Sequence, residues 1–213
     1  MALTFYYGSG SPYAWRVWLA LEYKQVPFEQ KTLSFSSGDL RQPAYLAVNP
    51  RGKVPAIVDG SFTLYESVAI VEYLDEQYRG PSLFPGSPAQ RAVVRRMVQE
   101  SDQYYASAME RLVDQILFTP QEQWDLQRIA KARASLADEL MRWEKLVLGD
   151  FLSGPVLSAA DFTLYPLIAL TQRMQRRKAD LDTPSMIGPK VSAWMKRIEA
   201  LPYFERTLPP HWK

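Results

Sequence analysis

Few side chains in this chain could carry chemistry, and hydroxyl and carboxylate groups dominate among them. The sequence contains no cysteine and a single histidine, His211, close to its end. These counts exclude a protein thiol as nucleophile, disulfides and thiolate metal sites, and they argue against histidine-based catalysis and histidine metal clusters. We therefore predict no metal site.

Ser11 stands at a predicted helix start. It follows the short apolar run Leu3–Tyr7 and the break Gly8-Ser9-Gly10, and it stands directly before Pro12. Serine at the N-cap with proline at the first helical position is a strong helix-start signal. These residues by themselves predict only that Ser11 caps a helix.

The stretch Asn49–Ser67, NPRGKVPAIVDGSFTLYES, holds the second candidate site. Proline fixes its own φ and lacks a donor, so Pro55 is expected at the opening of the predicted strand Ala56–Val58. In that position the N–H and C=O of Val54 can face outward and pair with an extended peptide. Ser67 begins a helix whose first N–H groups suit an anion. Together they predict a small peptide-like ligand that carries a carboxylate.

The elements around these residues follow from apolar periodicity and turn residues. The order βαβ followed by ββα predicts an α/β unit, a four-stranded mixed sheet with helices on it. The predicted strands are Leu3–Tyr7, Pro27–Leu33, Ala56–Val58 and Phe62–Tyr65, and the predicted helices begin at Pro12, Ala44 and Ser67.

The strongest domain boundary lies between Gly80 and Pro88, where three prolines and two glycines occur in GPSLFPGSP. We predict a first domain over 1–80, a linker over 81–88 and a second domain over 89–213. Strand signals are absent from the second domain, which is predicted to be all-α. Its helices are expected over 88–117, 122–148 and 190–201 and from Ser158, with Asp161 as the capping-box partner of Ser158.

Composition limits the classes of function. With 213 residues and 47% hydrophobic content the chain can bury a sizeable core, and a formal charge of +2 is too small to indicate a nucleic-acid partner. The N-terminus lacks the pattern of a signal peptide, and no stretch reaches the ~18 apolar residues of a membrane span. We expect a soluble, cytoplasmic protein without a nucleic-acid or membrane partner.

The chain resembles the cytosolic glutathione transferases of the serine type, which include the theta, phi and zeta classes. The residues that carry the resemblance are Ser11-Pro12-Tyr13, NPRGKVP at 49–55, Glu66-Ser67 and Ser158 to Asp161. It covers essentially the whole length. It implies a thioredoxin-like first domain, an all-helical second domain, a homodimer and a cis peptide bond before Pro55.

The resemblance also implies glutathione as co-substrate, and it assigns contacts to the second candidate site. The N–H and C=O of Val54 would pair with the cysteinyl part of glutathione. Glu66 would accept from the ammonium of the γ-glutamyl group. The hydroxyl and backbone N–H of Ser67 would hold the carboxylate of that same group.

Further contacts are implied outside this core. Lys53 and Arg41 are expected to reach the glycyl carboxylate. Several serine-type classes have a histidine before the basic residue, whereas this chain has Leu40, so one expected contact is missing. Asp102 is either a solvated residue of a long helix or a group that reaches across a dimer interface toward the glutathione amine.

In this interpretation Ser11 is the catalytic hydroxyl. Lowering a thiol pKa from about 8.5 to about 6.5 requires roughly 2.7 kcal/mol. A hydrogen bond to a charged sulfur supplies about 1.5–3 kcal/mol, and a helix N-terminus adds about 0.3–1 kcal/mol. No general base is then needed. Tyr6 and Tyr7 are rivals, since other classes use a tyrosine near the end of the first strand, and Ser9 is a lesser rival.

The second substrate is expected to be a small, apolar electrophile. Tyr13, Tyr105, Met109 and Phe118 are candidates to line its pocket, although methionines and aromatics at helical spacing are more often core residues. The leading hypothesis is thus a detoxifying glutathione transferase. The alternatives are a glutathione-dependent isomerase or dehalogenase, and a non-catalytic interaction protein that keeps the fold for docking.

Overall fold

The computed structural model describes residues 2–212, which pack as two compact units. The first unit contains the chain up to Phe84 and also the segment from Pro202 onward, and the second is Pro85–Leu201. The residues from Pro202 onward were expected in the helical domain over 89–213, whereas they pack with the first unit. The rings of Phe204 and Trp212 contact Trp15 in the first helix of that unit. No helix within the described range is both long and apolar enough to cross a membrane.

The first unit contains the predicted four-stranded mixed sheet, which is confirmed. Its strands are β1 Leu3–Tyr7, β2 Phe28–Thr32, β3 Ala56–Asp59 and β4 Phe62–Tyr65. The strand order is β2-β1-β3-β4, with β1 parallel to β2 and β3 antiparallel to both β1 and β4. The parallel pair is joined by a helix, as a right-handed βαβ crossover requires.

Three helices accompany the sheet: α1 Pro12–Tyr23, α2 Pro43–Leu46 and α3 Ser67–Gln77. A short 3₁₀ turn, Asp39–Arg41, precedes α2. Phe5 of β1 is fully buried and its ring contacts Trp18 of α1 edge-on, with centroids 6.4 Å apart. Burial of such side chains stabilises the unit by about 1.5–3 kcal/mol each, which fixes α1 and therefore its first residues on the sheet.

The turn between β3 and β4 is tied to the far end of α3. Asp59 accepts hydrogen bonds from the hydroxyl of Tyr73 at 2.7 Å and from that of Tyr78 at 2.6 Å. Burial, followed by the hydrogen bond to Asp59, raises the pKa of Tyr73 to about 12, so the hydroxyl keeps its proton. The hairpin and α3 are thereby braced against each other.

The second unit is built from helices, as predicted. They are α4 Pro88–Glu100, α5 Ser107–Leu117, α6 Leu126–Leu146, α7 Ala159–Met174, α8 Thr183–Met186 and α9 Pro189–Glu199, while α10 Phe204–Thr207 belongs to the first unit. The short α8 and α10 were not predicted.

The predicted single helix over 88–117 is interrupted. A π-helical segment, Ser101–Ala106, separates α4 from α5, and the Ser101 hydroxyl donates to the carbonyl oxygen of Met97 at 2.8 Å. Such a bond inside a helix competes with the backbone ladder and favours a local irregularity. The next helix begins at Leu126 and not at Glu122, because Asp125 caps it by accepting from the Arg128 N–H at 2.9 Å.

Asp161 organises the start of α7. Its buried carboxylate accepts from the N–H and hydroxyl of Ser158, from the N–H of Leu152 and from the indole N–H of Trp194, each at 2.8 Å. The capping role predicted for Asp161 toward Ser158 is present, and the same carboxylate also fixes a loop and a neighbouring helix.

Candidate functional site

Ser11 occupies the N-cap of α1 as its sequence context predicts. Its φ and ψ of −71° and 119° are extended, and its hydroxyl oxygen accepts from the N–H of Ala14 at 3.3 Å. The Ser11 N–H donates to the carbonyl of Gly8 at 3.1 Å, which closes the turn that leads into the helix. The serine is therefore fixed on both sides of its Cα.

Capping does not exhaust the hydrogen-bonding capacity of Ser11. The bond from Ala14 uses an oxygen lone pair, and the O–H proton can still be donated elsewhere. A thiolate near this hydroxyl would also lie at the N-terminus of a 12-residue helix, where an anion is favoured. The cap and the catalytic hydroxyl are thus compatible roles of a single side chain.

Val54 presents an open peptide edge. The Val54-Pro55 bond is cis, as the resemblance implied, and β3 begins directly after it at Ala56. Within residues 2–212, neither the N–H nor the C=O of Val54 has a backbone hydrogen-bond partner. Its side chain packs into an apolar cluster with Tyr45 and Ala56. The side chain anchors the residue while its two backbone groups remain available for an extended ligand.

The residue before Val54 is held by two buried donors. The carbonyl oxygen of Lys53 accepts from the Tyr45 hydroxyl and, at 2.7 Å, from the side-chain amide of Asn49. Burial raises the pKa of Tyr45 to about 12, so this hydroxyl donates throughout the physiological range. The two bonds fix the peptide plane between Lys53 and Val54, and hence the direction of the Val54 N–H.

The cationic end of the predicted site is exposed. Lys53 and Arg41 both lie on the surface of the first unit. Leu40, which stands where a histidine was expected, packs against the apolar cluster behind Val54. Its carbonyl oxygen would lie 2.8 Å from a Cβ at Gly52, whose φ is +59°, so the glycine of NPRGKVP is required at this crossing.

Glu66 and Ser67 are the residues predicted to hold the γ-glutamyl end of the ligand. Ser67 is the first residue of α3, is buried, and its N–H is among the helix amides without an intrahelical partner. Glu66 has a φ of 72° and a ψ of 110°, an unfavourable conformation for a residue with a Cβ. Such strain costs about 1–3 kcal/mol and is typical of functional positions.

Arg51 is an additional charged residue at this end. Its Nε lies 3.7 Å from Oε1 of Glu66, and both side chains are about two-thirds exposed. An exposed pair at this distance contributes little to stability. A ligand ammonium can therefore replace Arg51 beside Glu66 at small cost.

The tyrosine rivals of Ser11 have packing roles. The Tyr6 ring lies 5.6 Å from that of Tyr45, and the Tyr7 ring lies 4.9 Å from that of Trp18. These contacts support the core interpretation of both tyrosines. Ser9 is different, because its hydroxyl lies 3.1 Å from Nδ1 of His211.

The pocket candidates fall into two groups. Tyr105 and Met109 are buried in the second unit, and the Tyr105 hydroxyl donates to Thr171 at 3.1 Å, which favours a core role for both. Phe118 is 74% exposed. Tyr13 of the first unit is half-buried with the Arg16 guanidinium 5.3 Å above its ring.

The remaining site residue of the second unit is Asp102. It lies partly buried within the π-helical segment. Its contact with glutathione across a dimer interface stays a prediction, as do the ligand contacts expected of the other site residues.

Sequence reasoning missed the buried donors Tyr45 and Asn49. Asn49 is the first residue of the NPRGKVP motif, and Tyr45 stands four residues before it. This spacing, one helical turn, was the signal in the sequence that the two donors lie close together. Phe35 was also missed: its half-exposed ring lies on Gly8, at the start of the loop that leads to Ser11. No local signal marks that contact, because it joins two separate loops.

Comparison with known proteins gives consistent findings. Residues 5–82 match the family model of the glutathione S-transferase N-terminal domain. The chain is 33% identical to glutathione S-transferase F10 of Arabidopsis thaliana, over 87% of this chain and 86% of that protein. Over 96 residues, 43% of this chain and 44% of the relative, it is 46% identical to maleylacetoacetate isomerase of Pseudomonas aeruginosa.

A solved structure extends the similarity to three dimensions. The theta class glutathione S-transferase of Xanthomonas axonopodis pv. citri, with glutathione bound, superposes with a TM-score of 0.81 at 29% identity. The match covers 97% of each chain. The similarity therefore includes the first unit, the second unit and the order in which they occur.

Proposed function

Because this chain belongs to the glutathione S-transferase family, we propose that it binds glutathione and uses the Ser11 hydroxyl to stabilise the thiolate for attack on an electrophile. The observation that carries the proposal is the open peptide edge of Val54, which lies on the same unit as the amides at the start of α3. A γ-glutamyl peptide has complementary groups for both.

Each part of glutathione has a chemically matched partner. The cysteinyl backbone pairs with the N–H and C=O of Val54, as a strand adds to a sheet edge. The γ-glutamyl carboxylate accepts from the N–H and hydroxyl of Ser67 at the positive end of α3, and its ammonium donates to Glu66. Lys53 and Arg41 supply positive charge for the glycyl carboxylate.

The Ser11 hydroxyl then acts on the sulfur. A hydrogen bond donated by this hydroxyl to the thiolate, together with the N-terminus of α1, supplies the roughly 2.7 kcal/mol needed to bring a thiol pKa from about 8.5 to about 6.5, so that the thiol proton is lost to solvent. The thiolate is the nucleophile and forms the bond to the electrophile. In substitution a leaving group departs from the electrophile. In addition a conjugated carbon takes up a proton from solvent.

The test separates binding from activation. Wild-type protein is expected to be retained on glutathione-agarose and eluted by free glutathione, and the thiolate absorbance of bound glutathione should titrate well below pH 8.5. S-methylglutathione serves as control, because it keeps every backbone group and has no thiol to ionise. Absence of retention would refute the proposal. Retention without a lowered thiol pKa would favour the non-catalytic interaction protein.

A glutathione-dependent isomerase is a second candidate, favoured by the 46% identity to maleylacetoacetate isomerase over 96 residues. Reversible addition of the thiolate to a conjugated double bond allows rotation about the former double bond, and elimination returns the thiol. Glutathione is then not consumed, whereas a transferase consumes one molecule for each product. Measuring free thiol during turnover of a cis-conjugated diacid distinguishes the two reactions.

We further propose a homodimer with a small, apolar electrophile as second substrate, in a cytoplasmic setting where glutathione is reduced. The support is family membership and the absence of cysteine from the sequence. Sedimentation equilibrium tests the dimer. A panel of aryl halides, epoxides and enones, assayed for glutathione-dependent turnover, tests the electrophile class.

A further inference from the structure

The C-terminal segment from Pro202 onward, called the tail below, packs on α1, the helix that Ser11 caps. The indole N–H of Trp15 in α1 donates to the hydroxyl of Thr207 at 2.8 Å, and its ring contacts that of Phe204 at 5.8 Å. The ring of Trp212 meets Trp15 edge-on at 5.4 Å. Trp15 also donates its backbone N–H to the carbonyl of Ser11 at 2.9 Å. One residue therefore links the tail to the first turn of α1.

The tail brings the only histidine of the sequence onto the loop before Ser11. Nδ1 of His211 lies 3.1 Å from the Ser9 hydroxyl, and Nε2 lies 2.9 Å from the indole Nε1 of Trp212. An indole N–H can only donate, so Nε2 must accept and be unprotonated. The ring proton then resides on Nδ1, which donates to Ser9. In this tautomer His211 cannot serve as a base toward the Ser9 hydroxyl.

The imidazole also covers Gly10. A Cβ at Gly10, whose φ is +88°, would stand 3.2 Å from both Cε1 and Nε2 of His211. Position 10 therefore requires glycine for its backbone conformation, and the imidazole lies where a side chain would be. His211 thus contacts the two residues that directly precede Ser11.

We propose that His211 is a positioning residue for the thiolate-stabilising hydroxyl of Ser11. It acts by holding the Ser9 hydroxyl and the Gly10 backbone, which set the direction in which Ser11 enters α1. The proposal rests on the proposed function, since it assigns His211 to that same site. Val54, Glu66 and Ser67, which would bind the rest of glutathione, lie elsewhere on the unit, so His211 affects the sulfur and not the affinity for the peptide.

The test compares His211→Ala with His211→Asn, whose side-chain amide can donate from the place of Nδ1. For the alanine variant we expect the dissociation constant of S-methylglutathione, which has no thiol, to stay within about 2-fold, while turnover of glutathione at pH 7 falls about 3- to 10-fold and the bound thiol titrates at higher pH. The asparagine variant should restore most of the loss. Arg206→Ala changes an exposed side chain of the same tail and removes its salt bridge to Glu22 of α1, and it is the control expected to behave as wild type.

A double-mutant cycle tests the route through Ser9. Ser9→Ala should reproduce the effect of His211→Ala, and the double variant should be no worse than either single one, because both remove the same hydrogen bond. Several results would overturn the proposal: wild-type turnover in His211→Ala, additive losses, or equal losses in all tail variants including Arg206→Ala. A wild-type protein that fails to lower the thiol pKa would instead remove the proposed function, and His211 positioning with it.

Discussion

The Tyr45 hydroxyl donates to the carbonyl oxygen of Lys53, one residue before the peptide edge of Val54. The same oxygen accepts from Asn49, so a single peptide plane carries two hydrogen bonds from buried side chains. The two bonds set the direction of the Val54 N–H, and neither Tyr45 nor Asn49 is among the predicted ligand contacts. We therefore expect loss of the Tyr45 hydroxyl to affect ligand binding although it removes none of the predicted ligand contacts.

Tyr45→Phe removes that donor and keeps the ring. Because Asn49 remains bonded to Lys53, we expect the glutathione dissociation constant to rise about 2- to 10-fold, the equivalent of one neutral hydrogen bond, as measured by titration calorimetry. Tyr165→Phe is the matched control, since it loses a hydroxyl bond to Glu199 at 3.0 Å within the second unit. Equal weakening in both variants would contradict a specific role for Tyr45.

Ser11→Ala and Ser11→Gly separate the catalytic hydroxyl from the helix cap. Both lose the donor to sulfur, so the pKa of bound glutathione should rise by about 1 to 2 pH units and thiolate absorbance at pH 7 should fall. Alanine also costs the helix about 0.5–2 kcal/mol, whereas glycine at an N-cap costs only a few tenths. Unchanged thiolate absorbance in both variants would transfer the role to Ser9, Tyr6 or Tyr7.

Glu66→Gly and Glu66→Ala test the strain at the site. Both remove the carboxylate, which is expected to weaken glutathione binding about 10- to 100-fold. Glycine tolerates a φ of 72°. We therefore expect the free energy of unfolding of the glycine variant, measured with denaturant, to be about 1 kcal/mol higher than that of the alanine variant. An alanine variant of equal or greater stability would show that Glu66 is not strained in solution.

Asp161→Asn is expected to destabilise the second unit strongly. Each carboxylate oxygen accepts two hydrogen bonds, and an amide NH₂ in place of one oxygen would face two donors. The expected loss in the free energy of unfolding is about 2–4 kcal/mol, against about 0.5–2 kcal/mol for Ser158→Ala. Urea unfolding of both variants provides the comparison, and similar losses would mean that Asp161 acts only as a cap.

Local patterns predicted the parts of the fold that local interactions decide. β1 has the predicted bounds Leu3–Tyr7, because an apolar run between turn residues leaves little choice. The helix starts at Pro12 and Ser67 were also located correctly, since capping and proline geometry act within four residues. The glutathione-site residues were proposed from short motifs together with the family resemblance that these motifs carry, and their roles remain predictions.

Long-range packing accounts for what could not be predicted. The contact of Trp15 with Thr207 joins residues 192 positions apart, and no periodicity carries that information. The π-helical segment at Ser101–Ala106 was missed because its apolar residues fit an ordinary helix. His211 was set aside as a catalytic residue from its position in the sequence, whereas the fold returns it to the loop that precedes Ser11.

The hydrogen bonds from Tyr73 and Tyr78 to Asp59 have a consequence for selectivity by length. They join the end of β3 to the far end of α3, and Ser67 lies in the segment between these two points. Val54 stands just before β3. A ligand that contacts both Val54 and Ser67 meets residues whose conformational entropy was already lost on folding, so binding need not order them. The distance between Val54 and Ser67 is then set by the fold before a ligand binds. We expect a peptide without the γ-glutamyl arm to reach only one of the two contact points and therefore to bind more weakly than glutathione.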